Sequence, residues 1–332
     1  MFITTPYHCL TSSFLLIFSL ISLSYFFAQF PHAPQGYSVQ PSLASLGPET
    51  KANDIYPEDY YSGGAYVTLP FGNVRYWLLG PEAGKKIVLI HGLSIPSLIW
   101  KDVAPALASR GYRVLLYDLY GRGYSDAPET TYDASLYATQ LALLMQHVKW
   151  PKAYVAGVSM GGGILAAFTS FFPDLVDSKV ALIAPTGLVE SKDLSKTTKF
   201  MSSPFVQSVT SSAPFRFYLR RLANASSSDP VSEIVRIQSA HLPGYNAAIA
   251  SSLRDGPIRG LHEAFEKLGA SNRKILLIWG TADNAVPYKY APRIQRLLPQ
   301  SELITVEGGG HDLAVSHPET IVSVFTRFFG SR

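Results

Sequence analysis

Serine is a poor nucleophile at neutral pH. It becomes useful only beside a base that takes its proton and a third group that orients the base. Gly157-Val158-Ser159-Met160-Gly161 puts a serine in a suitable setting: the apolar run Ala153–Ala156 precedes it, and a small-residue helical pattern, Gly162 to Phe172, follows. Strand, sharp turn and helix in that order form the context of a G-x-S-x-G nucleophile turn. Glycines on either side, lacking Cβ atoms, let strand and helix approach closely while the serine is strained to expose its Oγ. An acid and a histidine stand at the ends of later apolar runs. Ile275–Trp279 leads into Gly280-Thr281-Ala282-Asp283, and Leu303–Val306 into Glu307-Gly308-Gly309-Gly310-His311. Open α/β sheets bind ligands at the carboxyl ends of their strands. The order Ser159, Asp283, His311 therefore predicts nucleophile, orienting acid and base.

Each of these residues also has an ordinary reading: Ser159 as a turn serine, Asp283 as a helix cap near Pro287, His311 as a loop histidine. Their coincidence at strand ends favours the triad. The other histidines fit worse. His8 and His32 precede the domain, His147, His241 and His262 fall in helical or cap segments, and His317 enters a helix ahead of Pro318. Acyl transfer also needs donors for the developing oxyanion, each worth ~3 kcal/mol of barrier. The backbone N–H of Met160 is one candidate. The other is the N–H of Leu93, in His91-Gly92-Leu93-Ser94 after an early strand, where His91 pins the loop by hydrogen bonds instead of titrating. Asp118, also ending a strand, is read as holding the turn that follows it.

The elements that must carry these groups alternate. Ile87–Ile90, Val114–Tyr117, Ala153–Ala156, Val180–Ile183, Ile275–Ile278 and Leu303–Val306 are short continuous apolar runs. Helical patterns Ile99–Ser109, Ala134–His147, Gly162–Phe172, Ala291–Leu298 and Ile321–Phe329 lie among them. Strands buried on both faces, alternating with helices, imply a mainly parallel α/β sheet. Ala65–Leu69 and Val74–Leu79, separated by Pro70-Phe71-Gly72-Asn73, suggest an antiparallel hairpin in front of it. Residues 188–269 interrupt the alternation with no clear strand. They are too rich in aromatics for a disordered loop, and we read them as a helical cap.

Composition sets limits. The chain has 332 residues, 47% hydrophobic and 16% charged, with a formal net charge of +4. A sizeable core is available, and no Lys/Arg block reads as a nucleic-acid footprint. One cysteine, Cys9, excludes an intrachain disulfide and a cysteine-based metal site. No nucleotide, metal or flavin motif appears, so no cofactor is expected. Residues 1–30 form a hydrophobic N-terminal segment without Asp, Glu, Lys or Arg, and 10–30 approach the length a bilayer requires. It reads as a single-pass membrane anchor in the secretory pathway, a cleaved signal that leads to secretion, or a packing helix. Residues 31–59, rich in proline, read as a linker, with the catalytic domain at 60–332. Asn224-Ala225-Ser226 is a glycosylation sequon.

The segments HGLSIPSLIW (His91–Trp100), YDLYGRGYSD (Tyr117–Asp126), GVSMGG (Gly157–Gly162), IWGTADNAVP (Ile278–Pro287) and GGGHDLAVSHPE (Gly308–Glu319) resemble, in order, the signatures of the α/β-hydrolase fold superfamily. The resemblance runs from Tyr66 to the C-terminus and is weakest in the cap. It implies an eight-stranded, mainly parallel sheet with helices on both faces and an inserted cap. Epoxide hydrolases and haloalkane dehalogenases of the superfamily carry Asp where Ser159 stands, so the serine branch is implied here. The N-terminal segment and Ala184-Pro185-Thr186-Gly187-Leu188 are similar to monoacylglycerol-lipase-like members. The expected function is hydrolysis of carboxylic esters, apolar or lipid-like, through an acyl-enzyme. Alternatives are carbon–carbon bond hydrolysis or perhydrolase/haloperoxidase chemistry with the same triad, and a non-catalytic receptor of this fold. The expected partner is a small-molecule ester, with membrane association through residues 10–30; oligomeric state, acyl group and alcohol stay open.

Overall fold

A computed structural model describes residues 6–28, 37–222 and 229–330. The apolar runs become strands because each is bounded by turn residues and too short to complete a buried helix. The strands are β1 (Val39–Gln40), β2 (Gly64–Leu69), β3 (Gly72–Leu79), β4 (Lys85–Ile90) and β5 (Tyr112–Tyr117). They continue with β6 (Ala127–Pro128), β7 (Ala153–Val158), β8 (Val176–Ile183), β9 (Lys274–Gly280) and β10 (Ser301–Val306). Eight of them form one sheet in the order β10-β9-β8-β7-β4-β5-β3-β2. β3 runs antiparallel to β2 and β5; the remaining pairings are parallel. The hairpin is tighter than expected. Pairing continues to Leu69↔Gly72, so Pro70 and Phe71 alone make the turn.

α1 (Pro6–Ala28) lies in the N-terminal segment; helices of the sheet domain cover both faces, beginning with α2 (Lys51–Ile55), α3 (Val103–Ser109), α4 (Ala134–His147) and α5 (Met160–Phe171). Between β8 and β9 come α6 (Lys196–Met201), α7 (Pro204–Thr210), α8 (Ala213–Leu222), α9 (Pro230–His241), α10 (Tyr245–Asp255) and α11 (His262–Gly269). The chain ends with α12 (Tyr290–Leu297), α13 (Leu313–Ser316) and α14 (Pro318–Gly330). Alternate residues of one strand feed two cores. Val88 and Ile90 of β4 pack with Leu141 of α4 and Ile164 of α5, whereas Ile87 and Leu89 pack with Val103 of α3 and Phe325 of α14. Each such side chain contributes about 1.5–3 kcal/mol by leaving water, which is how a run without polar alternation stays folded.

Residues 38–332 form one compact unit, and residues 1–37 another. The stretch read as a linker is therefore in large part domain. β1 pairs with β6, and Leu43, Ala52 and Tyr56 are buried. Prolines and serines hid these three anchors from a reading by composition.

The expected membrane anchor, and with it membrane association through residues 10–30 and a secretory-pathway membrane location, is corrected: among the described residues no helix is long and apolar enough to cross a membrane. The side chain of Cys9 and the sequon at Asn224 lie outside the described residues.

Candidate active site

Val158 closes β7 and Met160 opens α5, so the reversal between strand and helix falls on Ser159, at φ 55° and ψ −120°. A non-glycine residue holds such a conformation only when its surroundings over-determine it. They do: Ser159 N–H donates to the Ile183 carbonyl at 2.9 Å, and the Ser159 carbonyl accepts from Thr186 N–H at 3.0 Å. Close approach explains the flanking glycines. A Cβ at Gly157 would lie 2.3 Å from the Gly161 oxygen, and one at Gly161 2.3 Å from the Ile90 oxygen.

β9 and β10 end next to the same crevice and deliver Asp283 and His311. The His311 Nε2 is 2.8 Å from Ser159 Oγ, and its Nδ1 is 2.7 Å from Asp283 Oδ2. Asp283 Oδ1 accepts from the N–H groups of Ala285 and Val286 at 2.9 and 2.8 Å. Asp283 thus turns Oδ2 to His311 and holds a turn with Oδ1; the helix of the capping reading, α12, starts further on, at Tyr290. A carboxylate facing Nδ1 places the ring proton there and leaves the Nε2 lone pair for the serine hydroxyl.

The loop after β4 reaches the serine from the other side: a Cβ at Gly92 would lie 3.4 Å from Ser159 Cβ. His91 is fully buried, and its Nε2 accepts from Leu119 N–H at 2.8 Å. Its Nδ1 therefore carries the proton and donates to the Gly92 carbonyl at 2.9 Å. Burial, aided by the Arg122 charge, lowers its pKa to about 3. With the Gly92–Leu93 peptide trans, the Leu93 N–H points opposite to the Gly92 carbonyl that His91 holds. Met160 N–H belongs to the first turn of α5, where amides have no intrahelical acceptor.

Asp118 is buried and accepts from Ser97 N–H at 2.8 Å, Tyr124 N–H at 2.9 Å and Tyr56 O–H at 3.2 Å. Burial raises its pKa to about 6, although these donors pull it down. Arg122, in the same turn, was not singled out from the sequence. It is fully buried, and its Nε–H donates to the Leu93 carbonyl at 2.8 Å. The signal that could have found it is an arginine inside YDLYGRGYSD, where the neighbouring residues are small or apolar.

Ser159, His311 and Leu93 open on a cavity of about 750 Å³. Ile95, Ile99, Val189, Leu253, Ile258 and Val286 give it an aliphatic lining, and Thr198, Asp229, Ser232, Asn284 and Asp312 a polar one. No Phe, Tyr or Trp lines it among the described residues. Phe200, Phe205 and Phe217, among the aromatics of the cap, are exposed. Among the described residues, no group of His, Cys, Asp and Glu is arranged to hold a metal ion.

A family model for the alpha/beta hydrolase fold matches residues 85–318. A soluble epoxide hydrolase of Corynebacterium sp. (strain C12) is 27% identical over 271 residues, covering 74% of this chain and 91% of that protein. A non-heme chloroperoxidase of Streptomyces lividans is 26% identical, over 78% of this chain and 96% of that one. Among solved structures, a carboxylesterase from Bacillus subtilis superposes with a TM-score of 0.66 at 17% identity, over 85% of this chain and 96% of that one.

Proposed function

Because the chain belongs to the α/β hydrolase fold family, a family of hydrolase enzymes, we propose that it cleaves carboxylic esters with Ser159 as nucleophile. The observation that carries this reading is the hydrogen-bonded chain Ser159–His311–Asp283 facing a cavity of about 750 Å³. Ser159 Oγ attacks the ester carbonyl while His311 Nε2 takes its proton. Asp283 steadies the imidazolium that forms. The oxyanion of the tetrahedral intermediate receives the Leu93 and Met160 N–H groups. Collapse passes the proton from His311 to the departing alkoxide and leaves an acyl-enzyme. Water, deprotonated by His311, then attacks the acyl carbon, and the carboxylic acid leaves as Ser159 recovers its proton.

The lining points to an aliphatic acyl group, with the hydroxyl and carboxylate groups of the cavity facing a more polar alcohol. Likeness to an epoxide hydrolase does not carry that reaction over, since the family's epoxide hydrolases attack with Asp and this chain has Ser159. Likeness to the S. lividans chloroperoxidase favours a second reading, in which peroxide instead of water discharges the acyl-enzyme and a peracid results. Ser159→Ala tests the common step: it should abolish fluorophosphonate labelling and lower turnover of a p-nitrophenyl acyl ester by about 10³-fold or more. Retained turnover would refute the nucleophile. Acetate plus peroxide, assayed for peracid, separates the two readings.

A further inference from the structure

We propose that Arg122 is a positioning residue: by holding the Leu93 carbonyl it braces the backbone that presents the Leu93 N–H to the oxyanion, and it ties that backbone to the cap. The proposal rests on the reading of Leu93 N–H as an oxyanion donor and goes on to say what keeps it aimed.

Taking a guanidinium out of water is costly. None of the hydrogen-bond partners of Arg122 is a carboxylate that would offset this by charge. Its Nε–H donates to the Leu93 carbonyl at 2.8 Å and its Nη1 to the Tyr120 carbonyl at 2.9 Å. Nη1 also donates to the Tyr137 hydroxyl at 2.5 Å, and Nη2 to Ser252 Oγ at 2.8 Å. The hydroxyl protons have one consistent arrangement. Ser252 O–H donates to the Ala248 carbonyl at 2.7 Å, so its oxygen is free to accept from Arg122 and from Tyr137 O–H.

Leu93 lies between two peptide planes, and each is held by its carbonyl. His91 holds that of Gly92, and Arg122 holds that of Leu93. The Leu93 N–H shares the first plane, so His91 sets its direction, and Arg122, by holding the second plane, braces the backbone next to it. A flip of the second plane would turn the Leu93 carbonyl toward the crevice, where it would repel the developing negative charge. The Arg122 bond to the Leu93 carbonyl opposes that flip. The other end of the guanidinium grips Ser252 on α10, whose neighbour Leu253 lines the cavity. The chain Leu253–Ser252–Arg122–Leu93 thus runs from the cavity wall supplied by the cap to the carbonyl-polarising amide.

Positioning and simple structural support make different kinetic forecasts. A mispositioned oxyanion donor weakens the transition state more than the ground state, so kcat falls while KM holds. Two variants test this, with turnover expressed per site labelled to completion by a fluorophosphonate. Arg122→Lys keeps the charge but cannot reach Leu93 and Ser252 together. It should lose about 10–100-fold in kcat, short of the 10²–10³ lost when a donor is removed outright, with KM within about twofold. The Tyr137→Phe, Ser252→Ala double variant keeps Arg122 and cuts its hold on the cap; it should lose about threefold to tenfold in kcat, again at steady KM. Should Arg122→Lys fail to fold, the double variant decides. Unchanged kcat per labelled site, or a loss confined to KM, would overturn the assignment. Ser159→Ala run alongside separates the two failures. Parent turnover that survives it removes the ester reading itself, whereas Ser159-dependent turnover with unchanged kcat in both variants removes only the role of Arg122.

Discussion

His91 and His311 both stand in loops that follow strands, and burial divides their duties. His311 keeps one ring nitrogen facing Ser159 and the other facing a carboxylate. His91 has both nitrogens committed to backbone groups and stays neutral, its pKa lowered to about 3 by burial. The unfolded chain protonates His91 near 6.5 and the folded chain near 3. The stability its neutral form contributes is therefore complete above about 6.5 and is lost at ~1.4 kcal/mol per unit as pH falls toward 3. Asp118 works the other way: its pKa of about 6 means that the folded state binds more protons between about 4 and 6, so acid favours folding there. The parent's own pH profile mixes the two, but a substitution separates them. The gap in unfolding free energy between parent and His91→Asn should narrow by about 2–3 kcal/mol from pH 7 to pH 4.5, read from denaturant midpoints. A gap independent of pH would show that His91 is not held neutral. The sequence showed that His91 could pin the loop. It did not show Arg122, because nothing in spacing tells that a turn arginine is buried against a carbonyl 29 residues away.

At the scale of elements, the β7–α5 elbow is where sequence and geometry agree most closely. A Cβ at Gly161 would stand 2.3 Å from the Ile90 oxygen and 2.6 Å from that of His91. Gly161→Ala must therefore push the start of α5 off the end of β4, and Ser159 and Met160 move with it. We expect a loss of about 1–3 kcal/mol of stability and of about 100-fold or more in kcat/KM, measured by denaturant unfolding and ester kinetics. Wild-type kinetics would show that the close approach is dispensable. The parallel strands were legible because continuous apolar runs mark burial on two faces. Their ends were not: β8 begins at Val176, not Val180, because Asp177 and Ser178 break the apolar run, and pairing with β7 spans them through a register shift between Ala153 and Val155. β1 and β6, two residues each, are too short to leave a pattern. The cap was legible as helical but not in its lining, since exposed and buried aromatics look alike in a sequence.

For the molecule as a whole, the boundary of the folded unit matters most. Tyr56 O–H reaches Asp118, Tyr124 O–H reaches the Tyr56 carbonyl at 2.6 Å, and Leu43 N–H reaches the Gly123 carbonyl at 2.9 Å. Residues 38–59 therefore brace the turn that carries Arg122 and Asp118, although they contribute no group to the chemistry. A chain starting at Ser38 should fold and keep the parent kcat/KM within about twofold. One starting at Tyr60 exposes the sites of three buried side chains and leaves Asp118 short of a donor. Its loss is comparable with the 5–15 kcal/mol total of an ordinary domain, so it should be unfolded or inactive by circular dichroism and ester assay. Equal behaviour of the two truncations would return residues 38–59 to the role of a linker.

The central claim, that Ser159 forms an acyl-enzyme, is tested most directly by trapping it. The protein is mixed with a p-nitrophenyl ester, quenched in acid within the first turnover and mapped by peptide mass spectrometry. The account predicts the acyl mass on the peptide carrying Ser159, and its absence from Ser159→Ala. An acyl group on another residue, or steady turnover with no adduct on Ser159 at any time, would contradict it.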